Sequence, residues 1–164
     1  MTKQFAIKDA IDLTVRELER GTGVMTINYL NDCEFTTEAE VIFAKKKGAN
    51  AISFPGNRTG TLTLNAELAD VNWLGLSLGA VVEGEKIEVT NSILNKAYVI
   101  EGTFRVVYED GAEEVKSIIF HKATPQVSST MAFSAENVAT FSLVFDLLAD
   151  MDGKFITIDA ADME

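Results

Sequence analysis

The residue types able to do chemistry are few in this chain and stand apart from one another. His121 is the only histidine, late in a predicted strand between Phe120 and Lys122, with no cysteine or serine signature beside it. A general base needs a positioned partner, and the local sequence supplies none. Cys33, the only cysteine, stands at a turn-to-strand boundary with no adjacent base to lower its pKa and reads as a structural thiol. Asp150-x-Asp152-Gly153 shares the opening of a calcium loop, but the third acidic ligand and the distal glutamate are missing, so it reads as a hairpin turn. Asn57-Arg58-Thr59 fits a glycosylation sequon, one that a chain opening on mixed acids and bases, unlike a secretory leader, would not use. Gly56, Gly60, Gly75 and Gly79 form no phosphate-cradling pattern, and Glu113 and Glu114 read as a solvated strand edge beside a turn. The expectation is a protein without catalytic residues, metal or cofactor.

The elements around these residues are organised on the stretch 51–79. Pro55-Gly56-Asn57 is a strong turn signal, because Pro fixes φ while Gly and Asn tolerate positive φ. From Gly60 the chain alternates, with Leu62, Leu64, Ala66 and Leu68 on one face and Thr61, Thr63, Asn65 and Glu67 on the other. Asp70 can cap a helix from Val71 to Leu78, and Gly79 can close it. That helix carries a stripe of Val71, Leu74 and Leu78, with Trp73 and Leu76 projecting from the other side. One stripe suffices for a helix lying on one core; two call for deep burial or a second partner.

The remainder reads as strands. The N-terminal segment is expected to be extended or mixed, since Ile7, Ile11, Val15 and Leu18 recur at helical spacing while 11–15 alternate. Strands follow at 24–30 and 33–44, then a polar loop with Lys45-Lys46-Lys47, which joins the Pro55 turn in a long connection or hairpin over about 45–58. A hairpin turns at Glu83-Gly84-Glu85, another at Glu109-Asp110-Gly111, and Phe141, Leu143, Phe145 and Leu147 give one more apolar face. Asp150–Gly153 turns into a last strand at 155–159, and the acidic tail 160–164 is expected to fray. About eight strands and one helix, near 70–79, predict a mainly β protein: an antiparallel β-sandwich or barrel with a flanking helix, spanning 1–164 as one domain.

Composition bounds the partners. The 164 residues carry a net charge of −11, which disfavours binding to a phosphate backbone or an anionic membrane. No run approaches the roughly 18 apolar residues of a membrane helix. A lone cysteine suits a reducing compartment.

Two stretches resemble a known family. GNRTGTLTLNAELADVNWLGLSLG is similar to the strand-plus-helix core of bacteriophage tail tube (major tail) proteins and related injection machines, and ATFSLVFDLLADMDGKFITID resembles their closing hairpin. The resemblance implies a structural virion protein, assembled in the host cytoplasm, that stacks six-fold rings into an electronegative conduit for DNA. Its partners would be other copies of itself, the tape measure protein and terminator or baseplate proteins, with DNA passing unbound. On that reading Lys45, Lys46, Lys47, Asn57 and Arg58 are candidates for contact between rings, and Trp73 for contact between subunits. Glu38, Glu40, Glu101 and Glu109 are candidates for the lumen. The alternative is a monomeric β-sandwich binding module, for virion decoration or for a receptor or carbohydrate.

Overall fold

The computed structural model describes residues 4–21, 23–128 and 131–159; the tail expected to fray lies outside them. Ten strands and one helix are present among the described residues. In chain order they are β1 (Phe5–Glu17), β2 (Gly23–Ile27), β3 (Asp32–Lys46), β4 (Ala49–Ala66), α1 (Val71–Leu78), β5 (Val81–Glu83), β6 (Lys86–Glu88), β7 (Tyr98–Tyr108), β8 (Glu113–Pro125), β9 (Phe141–Leu148) and β10 (Ile156–Asp159). The protein is mainly β and antiparallel, with a single helix among the described residues, as the alternating apolar pattern predicts.

The main sheet runs β2-β1-β7-β8-β9-β4-β3, with β10 added to β8, and β5 and β6 form a separate small hairpin. Alternation wins over helical spacing in β1: Leu13 and Val15 are buried, and the strand pairs with β7 along its length. Ile27 near one end of the strand order and Leu64 near the other belong to one buried cluster, which also takes in Ile100, Phe120 and Phe145. The sheet therefore curls over itself, and its inner face is the core.

The helix forms as its caps dictate. The Asp70 carboxylate accepts the Trp73 backbone N–H at 2.8 Å. Gly79, at φ 60°, ends the helix in the left-handed region, where its lack of a Cβ costs least. Trp73 is 1% exposed and its ring lies 6.3 Å from that of Tyr29. The two apolar sides of α1 thus reflect deep burial. A ring enclosed in its own chain presents no surface to a neighbour, so the expected inter-subunit role of Trp73 is withdrawn.

Three further expectations are corrected. Pro55, Gly56 and Asn57 make no turn but lie inside β4, where pairing with β3 overrides their local preference. Gly56 and Asn57 stand together opposite Glu40 as a β-bulge, and a Cβ on Gly56 would come within 2.7 Å of the Glu40 Cβ. Pro55 is tolerated because β9 covers β4 only from Gly60 to Ala66, leaving the strand's other edge free at Pro55. Leu68, expected on the core face, lies past the end of β4 and is exposed. The last two strands form no hairpin with each other: β10 pairs with β8 over Ser117–Phe120, while β9 pairs with β8 over Lys122–Pro125 and crosses to β4.

Candidate assembly surface

Beyond Gly60, β3 and β4 continue as a two-stranded arm that pairs with no other described strand. At its end Lys46 pairs with Ala49, and Lys47 and Gly48 make a two-residue turn with φ of 51° and 80°. Positive φ at both positions matches the twist of the flanking strands, which suits a tight hairpin. The region 45–58, expected as a loop or hairpin, is thus the distal part of a long hairpin.

The arm is apolar on both faces. Val41 pairs with Pro55 and Phe43 with Ser53; one residue out of phase, Ile42 pairs with Phe54 and Ala44 with Ile52. Val41, Ile42, Phe43, Ile52 and Phe54 are each between 48% and 58% exposed. A strand apolar on both faces is ordinarily one covered on both sides, and nothing among the described residues covers this one. An isolated two-stranded hairpin is marginal in water, and a contiguous exposed apolar patch marks an interaction surface. No charged or catalytic residue type marks this band in the sequence. Its legible signal was the unbroken Val41-Ile42-Phe43-Ala44 run, which does not alternate.

The candidate residues distribute as follows. Lys45, Lys46 and Lys47 are exposed at the tip, while Asn57 and Arg58, also exposed, lie at the base, where Arg58 pairs with Ala39. Seven residues of strand, roughly 23 Å, separate Ala39 from Lys46, so the five are not brought together. Glu38 and Glu40 share one face of the arm's base and are exposed. Glu101 lies on β7 and forms an ion pair with Arg16 of β1, and Glu109 is exposed at the β7–β8 turn. The four acids thus occupy three separate places.

His121, Asp150 and Lys116 brace the fold. His121 sits where β10 and β9 diverge along β8: its Nε2 is 2.6 Å from Thr157 Oγ1, its Nδ1 3.7 Å from an Asp150 carboxylate oxygen, and its backbone N–H donates to the Phe155 carbonyl. The partners missing from its local sequence come from the β9–β10 connection and from β10 itself, and the cluster clamps the fork. Asp150 also accepts the backbone N–H groups of Asp152 and Lys154, so Asp150–Gly153 is the expected turn. Lys116 is 3% exposed and pairs with Glu114 at 2.7 Å. Among the described residues no cluster of histidine, cysteine, aspartate or glutamate could hold a metal, and no helix is long and apolar enough to cross a membrane.

No protein-family model and no curated protein matches the chain. Among solved structures it is similar to a cryo-EM structure of the anti-feeding prophage cap, described as the AFP tube terminating cap. The identity is 17%, the match covers 98% of this chain and 95% of that one, and the TM-score is 0.48. A likeness at that level places the chain in no family.

Proposed function

We propose that the chain is a non-enzymatic structural subunit of a phage-tail-like tube, which self-assembles into stacked rings forming an electronegative conduit. The observation that carries this reading is the β3–β4 arm, apolar on both faces and exposed in the isolated chain. A monomer gains nothing from such an arm, whereas a polymer buries it at every joint. The cationic tip fits the same reading, because Lys45, Lys46 and Lys47 meet a chain whose net charge is −11. Carboxylates such as Glu38, Glu40 and Glu109 on a lumen wall would repel phosphate and let DNA slide without trapping. The tape measure protein and terminator or baseplate proteins are the partners such a tube requires.

Electron microscopy of the concentrated purified chain tests the proposal. Rings or tubes are expected. A strict monomer at every concentration and salt would count against it, and glycan binding by that monomer would favour a binding module.

A further inference from the structure

The arm has a seat on the same molecule. An open cleft of about 580 Å³ lies between β1, β7, β8, β10 and the start of β3. Ile7, Leu13, Phe35, Phe104, Phe120 and Ile158 supply most of its apolar lining. Ile7, Phe35 and Ile158 at its mouth are exposed, although they sit beside the core. The volume is that of a pocket able to enclose a substantial apolar group. The charged residues lining it are Asp9 and Asp32, both acidic.

We infer that this cleft receives the β3–β4 arm of a second copy of the chain, the face bearing Val41, Phe43 and Pro55 against the lining and its lysine tip beside Asp9 and Asp32. The inference rests on the self-assembly reading and names the acceptor surface. Two features select this occupant. The cleft offers apolar surface rimmed by carboxylates, and the arm offers an apolar band ending in three lysines, in a chain that is otherwise strongly acidic. The copy's own arm is excluded, because Cys33 in the cleft and Phe43 on the arm are ten residues apart along one strand, roughly 33 Å.

Donor and acceptor are different surfaces, so each copy gives an arm and takes one, and the contact propagates head to tail. A ribbon roughly 20 Å long and 10 Å wide covers roughly 200 Å² per face, well short of the roughly 800 Å² per partner of a stable pair. The contact therefore holds when many copies repeat it, and isolated dimers are not expected.

Cross-linking tests the seat on the full chain. Phe43→Cys places a thiol on the arm while native Cys33 serves as acceptor. Oxidation with copper phenanthroline at pH 9 is expected to give a reducible ladder of dimers, trimers and longer chains on a denaturing gel. Adding Cys33→Ser should abolish the ladder, and adding Ile158→Cys to that background should restore it. A reducible dimer formed by Phe43→Cys with Cys33→Ser, which has one thiol per chain, would mean arm-to-arm contact and overturn the seat. No ladder from either acceptor, in protein that microscopy shows assembled, would overturn the seat and leave self-assembly standing. A chain that neither assembles nor cross-links would overturn both.

Discussion

At the scale of single residues, burial decides behaviour that residue type leaves open. Cys33 is the clearest case: burial, and then the neighbouring Asp32 carboxylate, push its thiol up to about 11. The nucleophile is the thiolate, and a rise of two units lowers its neutral-pH population about 100-fold. The native chain should label very slowly with thiol reagents at pH 7, much faster in denaturant, and at a rate climbing steeply above pH 9; brisk labelling at pH 7 would contradict the burial. The same shift links to stability. Because the folded pKa is raised, the contribution is complete below the unfolded value near 9 and is lost as pH rises towards 11. The loss is at most about 2 kcal/mol once the thiol's partial exposure is allowed for, and Cys33→Ala should remove it from urea unfolding curves compared at pH 8 and pH 11. His121 teaches the complementary lesson, since its partners at Asp150 and Thr157 lie about 30 residues away in sequence and no local pattern announces them.

At the scale of elements, burial separates what holds the fold from what faces outward. Trp73→Ala empties an enclosed site in α1 and should cost about 3–5 kcal/mol in urea unfolding of dilute protein. Phe43→Ser on the arm should change the same measurement by no more than about 0.5 kcal/mol. Equal effects would mean that the arm is part of the folded core. Elements specified by neighbouring residues were legible: Asp70 and Gly79 bracket the helix, Glu83-Gly84-Glu85 turns the small hairpin, and Leu62, Leu64 and Ala66 give the inner face of β4. Elements specified by distant pairing were not. The Pro55-Gly56-Asn57 run keeps its turn preference in isolation, but pairing with β3 on both sides of it leaves only a bulge. The Asp150–Gly153 turn was legible, whereas the partner of the following strand depended on β9 crossing to β4 and leaving the Ser117–Phe120 edge of β8 for β10.

At the scale of the whole molecule, the candidate surface was half legible, because lysines at a turn are conspicuous while the unbroken apolar run behind them reads like a strand buried on both faces. The two lie on one arm. Changing Lys45, Lys46 and Lys47 together to Glu replaces an attractive tip with a repulsive one on a chain already at −11. The concentration needed for assembly, followed by light scattering, should rise at least about tenfold, with the effect shrinking as salt screens the charges. Unchanged assembly would remove electrostatics from the joint. The central claim is that the arm's apolar band builds a polymer. Its most direct measurement is electron microscopy of the parent chain beside a Phe43→Glu, Phe54→Glu double variant, both at high concentration and with matched melting curves. Rings or tubes are expected for the parent and monomers for the variant. A parent that stays monomeric, or a variant that assembles as readily as the parent, would contradict that claim.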